Sequence, residues 1–210
     1  MLEYTEYTKM LIGLIAILNP LGAVPIFISL TSELDVSERR TISNVVVNSV
    51  LIILLLSLFI GNWILIFFGI TISSFRVAGG LLILLMAISM MHAKTSDVKH
   101  TAEEAEEGEK KDSIAVVPIA TPLLAGPGAI STVILYASKG MGLLHYFIVG
   151  LVILATSLLL YIVFKLVPYI SKYMSQTSIN VFTRIMGLIL AAISIEFMAR
   201  GFKELFPALM

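Results

Sequence analysis

Two stretches of the chain place prolines, glycines and a small polar residue inside apolar sequence: "NPLGAVP" at Asn19–Pro25 and "TPLLAGPG" at Thr121–Gly128. Proline has no N–H to donate and its ring clashes with the carbonyl four residues earlier, so each pair of prolines is expected to unwind about one turn of helix. The half-helix after such a break presents free N–H groups that suit an anion, and the half-helix before it ends in free carbonyls that suit a cation. Neither stretch contains a charged side chain. The backbone alone could therefore bind a small zwitterion such as an amino acid.

The candidate substrate contacts lie in and beside these two breaks, because unwound backbone inside a membrane must be buried in protein or line a cavity. The residue before the first proline of each stretch can cap the following half-helix with a side-chain oxygen, and the glycines leave room for a ligand. The alternative is that the prolines only bend two helices for packing. The candidate contacts are Asn19, Pro20, Leu21, Gly22, Ala23, Thr121, Leu123, Leu124, Ala125, Gly126 and Gly128.

A second set of polar residues could serve coupling or gating. Asn44 and Asn48 lie one turn apart and could equally form hydrogen bonds between helices. Glu196 lies within apolar sequence, and Arg200 follows four residues later, a spacing that favours an ion pair. An acid within the membrane is also a functional candidate, and a purely structural pair is the alternative. The candidates for coupling or gating are Arg76, Arg184, Glu196, Asn44 and Asn48.

The composition predicts an integral membrane protein. Hydrophobic residues make up 58% of the 210 residues and charged residues only 13%, about half of the share in a typical soluble domain. The formal net charge is zero, which gives no indication of a nucleic-acid partner. The absence of cysteine excludes disulfides and thiolate metal sites.

The apolar sequence divides into stretches that each approach the roughly 20 residues needed to span a bilayer. Continuous apolar runs favour helices over the alternating strands of a membrane barrel. A polar, charged stretch separates residues 1–92 from residues 113–210, and a cytoplasmic linker is expected at 93–112. His92 and His145 stand at segment ends and are expected at the membrane interface. The six predicted spans are Tyr7–Leu30, Val45–Gly69, Phe75–Met91, Ile114–Ala137, Leu144–Tyr169 and Val181–Leu205.

The two halves resemble each other. Aligned over eleven residues, Asn19–Ser29 and Thr121–Ser131 are identical at six positions, and the third span of each half carries an R-x-x-G sequence that begins at Arg76 or Arg184. These arginines could reach the interface or hold the carbonyls freed by the breaks. Three spans are an odd number, so the second half must enter the membrane from the opposite face, as in many transporters with inverted repeats. The predicted fold is an all-α membrane protein of six helices, in two inverted three-helix repeats, with helices 1 and 4 broken near the bilayer midplane.

Basic residues predict the orientation, because cytoplasmic loops are enriched in lysine and arginine. The richer face should lie in the cytoplasm, which places both termini outside and the acidic linker inside the cell (inner) membrane. One face would carry Arg39, Arg40, Lys94, Lys99, Lys110, Lys111, Lys165 and Lys172, and the other Lys9, Lys139, Arg200 and Lys203.

No enzyme signature is present in the sequence: there is no H-E-x-x-H, nucleophile elbow or phosphate-binding loop. The chain is therefore expected not to be an enzyme and to need no cofactor or metal. A channel for small polar solutes is an alternative, but a channel should line its pore with a continuous row of polar residues. Here the polar and backbone-exposing residues are concentrated at two breaks, which favours a single occluded site.

At "NPLGAVPIF" and "TPLLAGPGAIST" the sequence resembles the MarC family, which includes small neutral amino acid transporters of the SnatA type. The resemblance extends over essentially the whole chain, with the acidic central loop and both proline stretches in place. It implies proton-linked transport of glycine, alanine and similar amino acids. Transport direction and oligomeric state do not follow from it.

Overall fold

The computed structural model describes residues 3–31, 34–92, 124–169 and 175–207. All regular secondary structure in these ranges is helical. The linker predicted at 93–112, the first part of the predicted fourth span, and the candidates Thr121 and Leu123 lie outside the described residues. The principal helices are α1 (Tyr4–Leu18), α2 (Pro20–Leu30), α3 (Val36–Phe67), α4 (Ile72–Met91), α5 (Pro127–Ser138), α6 (Leu143–Lys165) and α7 (Gln176–Leu205).

Five described segments are long and apolar enough to cross a membrane; the first of them, Tyr4–Pro25, runs through α1 into α2. The other four lie in α3, α4, α6 and α7. Helix α5 has 12 residues, which rise about 18 Å and fall short of the roughly 30 Å hydrocarbon core. Five of the six predicted spans are thus present at full length in the described residues, and the fourth is described only in its second half.

Several helices begin before the apolar spans predicted for them, because polar residues cap their N-termini. Asp35 accepts a hydrogen bond from the Glu38 N–H (2.8 Å), and the Glu38 carboxylate accepts one from the Asp35 N–H (3.2 Å). This reciprocal capping box starts α3 well before the predicted Val45. Thr71 and Ser175 cap α4 and α7 in the same way, each accepting from a backbone N–H three residues later.

Large apolar side chains cover the outside of the helices. Trp63, Phe67 and Phe68 at the end of α3 are more than two-thirds exposed. Aromatic residues are enriched where a membrane protein meets the interface, so this end of α3 fits the edge of the bilayer. Contact with lipid, rather than burial in a protein core, explains why these apolar side chains lie on the surface.

Helices α4 and α7 form the most extensive packing in the described structure and run antiparallel. Glycine permits their close approach: a Cβ on Gly187 would lie 3.0 Å from the Ala87 carbonyl oxygen, and one on Gly201 would lie 3.0 Å from the Ser73 carbonyl oxygen. Small residues at such contacts are typical of membrane helix pairs. This pair forms one side of the bundle against which the broken helices pack.

The remaining contacts place α1 and α5 at the centre of the bundle. Helix α1 contacts α5, α6 and α7; α5 contacts α1, α3, α4 and α6; and α3 packs on α6. Both α1 and α5 are extensively buried. The helices adjacent to the two proline stretches are therefore the most enclosed parts of the fold.

We call the face at which α1, α4 and α6 begin and α5 and α7 end the N-terminal face. Lys139, just after α5, donates a hydrogen bond to Glu6 at the start of α1 (2.7 Å). Arg76 near the start of α4 forms an ion pair with Glu204 at the end of α7. Burial lowers the pKa of Lys139, and the hydrogen bond to Glu6 opposes that shift. Charged side chains thus join helix ends on this face.

Candidate functional site

The first break is confined to a single residue, Asn19, between α1 and α2. Its backbone adopts the left-handed conformation (φ 41°, ψ 61°), the only positive φ of a non-glycine residue in the described ranges. Asparagine tolerates this conformation better than most residues. Pro20 follows as the first residue of α2, a position where its missing N–H costs no helical hydrogen bond. The break in the first span is therefore present, and it lies between half-helices of 15 and 11 residues.

The break is shorter than the predicted unwound turn, because α2 continues through Pro25. Asn19 caps both half-helices: its N–H donates to the Ile15 carbonyl (2.9 Å), and its Oδ1 accepts from the Gly22 N–H (3.3 Å). Its own carbonyl accepts the Ala23 N–H (3.1 Å). These bonds allow α2 to restart at once, so only one proline of the pair marks a break.

The break at Asn19 nevertheless removes N–H donors from two carbonyl groups at the end of α1. The carbonyl of Ala16 faces Pro20, which has no N–H, and the carbonyl of Leu18 loses the Gly22 N–H to the Asn19 side chain. Both residues are buried. Two carbonyl oxygens are thus released from helical pairing beside the break, and these are acceptors that suit an ammonium group.

The second break is described from Leu124 onwards. Gly126 is extended (φ −71°, ψ 178°) and Pro127 begins α5, with no side-chain hydrogen bond capping the helix. Leu124, Ala125, Gly126 and Gly128 are all buried. In the first turn of α5 the N–H groups of Ala129 and Ile130 donate to the Gly126 carbonyl (3.0 and 3.2 Å), so the attraction for an anion comes from the partial positive charge of the helix N-terminus. These four candidates therefore surround a helix end that a ligand could complete.

The fold brings the two breaks together. A Cβ placed on Gly128, in the first turn of α5, would lie 3.7 Å from Cγ2 of Ile17, in the last turn of α1. The same Cβ would lie 3.3 Å from Sδ of Met86 and 3.4 Å from Cγ1 of Ile83 on α4. The absence of a side chain at Gly128 lets α5 begin directly against the end of α1.

A buried hydroxyl that the sequence interpretation missed lies on α6, which packs against the first span. Ser157 on α6 is 3% exposed, and its Oγ has no hydrogen-bond partner. Tyr7 contacts His145 near the starts of α1 and α6, and Phe27 stacks on Phe164 near the ends of α2 and α6 (4.8 Å between centroids). The first span and α6 therefore run parallel.

The register of these helices places Ser157 at the level of the break. Ser157 lies about two turns before Phe164 on the same face of α6, and Pro20 lies about two turns before Phe27 on α2. Ser157 therefore lies on the buried face of α6 at about the level of the N-terminus of α2. The sequence signal was a serine within the apolar sequence of the fifth predicted span, which alone does not distinguish a ligand contact from a packing residue.

The predicted coupling residues do not join this site. Asn44, Asn48 and Arg184 lie on exposed sides of their helices, because the buried face of α3 is formed by Val46, Val47 and Val50 and their neighbours. Their assignment to coupling or gating receives no support from this placement.

The other two coupling candidates form ion pairs away from the breaks. Arg76 pairs with Glu204, whose carboxylate also accepts a hydrogen bond from Ser73 (2.7 Å). Arg76 therefore holds the N-terminal face together and does not contact the described carbonyls of the break. Glu196 pairs with Arg200 as the four-residue spacing predicted, and about half of each side chain is exposed.

Taken together, the described helices, their apolar exteriors and the interrupted first span define a multi-pass α-helical membrane protein. The chain belongs to the MarC family of integral membrane proteins, whose family model matches residues 4–206. It is similar to the UPF0056 membrane protein YhcE of Escherichia coli (strain K12), with 43% identity over 209 residues that cover 99% of this chain and 97% of that protein.

Further relatives extend across bacteria and archaea. The UPF0056 membrane protein YvbG of Bacillus subtilis (strain 168) is 38% identical and covers 94% of each chain. The UPF0056 membrane protein MJ0972 of Methanocaldococcus jannaschii is 39% identical over 94% of this chain and 87% of its own. No solved structure matches the chain.

Proposed function

We propose that this protein is a secondary transporter of small neutral amino acids, glycine and alanine, and that it alternates access around the breaks in its first and fourth spans. The observation that carries the proposal is the meeting of the end of α1, at the first break, with the start of α5 in the buried centre of the bundle, where Gly128 lies against Ile17. Discontinuous helices whose free ends converge at the centre of a bundle are a recurrent way of holding substrates in transporters.

The chemistry of the proposed site is that of a zwitterion. The N-termini of α2 and α5 offer partial positive charge to a carboxylate, while the N–H groups of Gly22, Ala23, Ala129 and Ile130 already have partners. The released carbonyls of Ala16 and Leu18 offer acceptors to an ammonium group. The hydroxyl of Ser157 can give or accept one further hydrogen bond, which would satisfy a buried polar atom that has no partner. No charged side chain is needed, and the proline stretches contain none.

The walls of the proposed site limit substrate size. Gly22 and Gly128 have no side chains, Ala23 and Ala125 have only methyl groups, and the Asn19 side chain lies over Gly22. These residues allow helix ends to approach closely but leave little volume for a substrate side chain. Glycine and alanine fit this description better than leucine or phenylalanine.

We also propose that the two halves are inverted repeats of three spans. Exchanging the halves pairs α2 with α5, because Pro25 aligns with Pro127, and it also pairs α3 with α6 and α4 with α7; the last two pairs are in contact. The exchange converts the contact of α2 with α7 into that of α5 with α4, and that of α2 with α6 into that of α5 with α3; all four contacts occur. This packing supports a pseudo-two-fold axis through the bundle.

In this proposal both termini face outside the cell, the acidic linker lies in the cytoplasm, and protons drive transport in the cell (inner) membrane. The protein acts without a cofactor and is not an enzyme. The orientation rests on the distribution of basic residues in the sequence, and the coupling to protons rests on the family resemblance.

Counterflow in vesicles that contain the purified protein tests the function. Vesicles loaded with unlabelled glycine should take up labelled glycine faster than empty vesicles. The carrier can then return to the outside with unlabelled glycine bound, so that it is available to bind labelled glycine again. A channel for small polar solutes would pass labelled glycine without this stimulation. Absence of any glycine flux above protein-free vesicles would overturn the proposal.

A further inference from the structure

His145 begins the fully buried face of α6 at the N-terminal face, and none of its surface is exposed. The turn before α6 encloses it: a Cβ on Gly140 would lie 2.7 Å from both Cγ and Nδ1 of the imidazole. His145, which was expected at the membrane interface, is therefore enclosed by protein near the start of α6. An ionisable ring is enclosed where α1, α5 and α6 meet.

The hydrogen bonds of His145 join all three helices and fix its tautomer. Its Nε2 lies 3.1 Å from the carbonyl oxygen of Tyr136 and 3.3 Å from that of Ala137, at the end of α5. Carbonyl oxygens only accept, so Nε2 carries the hydrogen. In the neutral ring Nδ1 then accepts a hydrogen bond from the Tyr7 hydroxyl of α1 (2.8 Å). Neutral His145 thus satisfies both ring nitrogens while it links α1 to α5.

Among the described residues, the polar groups that contact His145 include no carboxylate to balance a positive charge. Tyr7 faces it from α1, the Tyr136 and Ala137 carbonyls from α5, and the ring edge of Tyr146 from α6 (5.8 Å between centroids). The nearest acid along α1 is Glu6, which already accepts hydrogen bonds from two lysines, Lys9 (2.9 Å) and Lys139 (2.7 Å). On α7, Glu196 is paired with Arg200.

Protonation of Nδ1 would change this junction in two ways. The ring could no longer accept from Tyr7, whose hydroxyl would have to turn and become the acceptor. The ring would also carry a charge in a place that excludes water and provides no counter-charge, which is costly. Water entering between α1, α5 and α6 would stabilise the cation, so protonation favours separation of these helix ends.

We propose that His145 is the proton-binding residue that couples protons to the opening of the N-terminal face. This inference rests on the proposed transport function only where it concerns glycine uptake. The opening of the N-terminal face is a property of the protein without substrate. Tyr7 positions the ring and acts through it. Glu196, the acid that the sequence favoured as a proton carrier, is half-exposed and held by Arg200, so a change in its charge would not act on the closed junction.

The accessibility of an introduced cysteine tests the opening directly, since the chain has no native cysteine. Met10 lies one turn after Tyr7 and is fully buried, whereas Leu143 at the start of α6 is 92% exposed. A water-soluble maleimide would be applied to Met10→Cys and Leu143→Cys in lipid nanodiscs between about pH 8 and about pH 5, the range over which histidine changes charge. The ratio of the two labelling rates removes the pH dependence of thiol reactivity.

The ratio should rise about tenfold towards acid pH, a coupling of about 1.4 kcal/mol. In the His145→Gln background the ratio should not change with pH, because glutamine can donate and accept hydrogen bonds but does not titrate. In the Tyr7→Phe background it should already be high at alkaline pH. A pH-independent ratio in the protein that retains His145 and Tyr7 overturns the proposal, and so does an unchanged acid response in His145→Gln. If His145→Gln does not fold, the Tyr7→Phe result decides.

Transport separates this inference from the proposed function. His145→Gln should lose glycine accumulation driven by a proton gradient while it retains glycine exchange at equal pH on both sides. Full proton-driven accumulation of glycine in His145→Gln contradicts the role of His145 but does not contradict the proposed transport function. Absence of glycine flux in the unsubstituted protein contradicts the transport function, and the cysteine measurement then still reports on the opening.

Discussion

Gly128 at the start of α5 lies against Ile17 at the end of α1, so that a Cβ at Gly128 would be 3.7 Å from the Ile17 side chain. This contact joins the two proline stretches, which are far apart in the sequence. The end of one helix and the start of another therefore share one buried region.

The left-handed backbone conformation at Asn19 should determine how much a substitution at this position destabilises the protein. Alanine in this conformation is strained by about 1–2 kcal/mol, whereas glycine adopts it freely. Both substitutions remove the side-chain cap on Gly22. Asn19→Ala should therefore unfold at lower temperature than Asn19→Gly when Trp63 fluorescence is followed on heating. Equal melting temperatures would indicate that the backbone at Asn19 is not held in this conformation.

The unpaired hydroxyl of Ser157 should contribute to binding and not to stability. Ser157→Ala removes a buried polar atom that has no partner, so the protein should unfold no more easily. Glycine should bind about five- to tenfold more weakly, as expected for the loss of one hydrogen bond. Ser43→Ala is the matched control, because Ser43 is also buried and unpaired but lies near the start of α3. Similar glycine affinities in the two variants would remove Ser157 from the site.

Substrate selectivity should follow side-chain size. Alanine should compete with labelled glycine for uptake into vesicles, whereas leucine and phenylalanine should not, because the walls near Gly22 and Gly128 leave no room for a branched or aromatic side chain. Competition by leucine as strong as that by alanine would point to a wider pocket than the one formed by these helix ends.

Glu196→Gln should retain proton-driven glycine uptake. The carboxylate of Glu196 is half-exposed and paired with Arg200, and neither residue contacts the breaks. Exposed pairs of this kind contribute about 0–1 kcal/mol to stability. Glycine uptake driven by an imposed proton gradient would be measured for Glu196→Gln and His145→Gln. Loss of this uptake in Glu196→Gln alone would identify Glu196 as the proton-binding residue.

Local sequence rules predicted the features that depend on local backbone chemistry. The helical class, the break before Pro20 and the Glu196–Arg200 pair follow from hydropathy, from proline and from a four-residue spacing. The same rules overestimated the break, because they could not anticipate that the Asn19 side chain would cap α2 and let it continue through Pro25. Capping depends on a backbone conformation that the residue type permits but does not require.

Features that depend on which helix face turns inward were not predictable from the sequence. Asn44 and Asn48 lie on the exposed face of α3, whereas Ser157 and His145 are buried on α6, and His145 contacts Tyr7 of the first span. In a lipid-facing helix both faces are apolar, so the hydrophobic pattern gives little information about rotation. The packing of α6 against α1, α2 and α3 determines which of its polar residues are buried.

Equilibrium binding of labelled glycine to the purified protein tests the central claim most directly, when Gly22→Ala is compared with Gly13→Ala. A Cβ at Gly22 would lie 1.9 Å from Nδ2 of Asn19 and displace the cap at the break, whereas a Cβ at Gly13, on the same span, meets only Ile193 at 3.8 Å. The unsubstituted protein and Gly13→Ala should bind glycine equally, and Gly22→Ala should bind it at least about tenfold more weakly, a loss of about 1.4 kcal/mol. Equal binding by all three proteins, or no binding by the unsubstituted protein, would contradict a substrate site at the breaks.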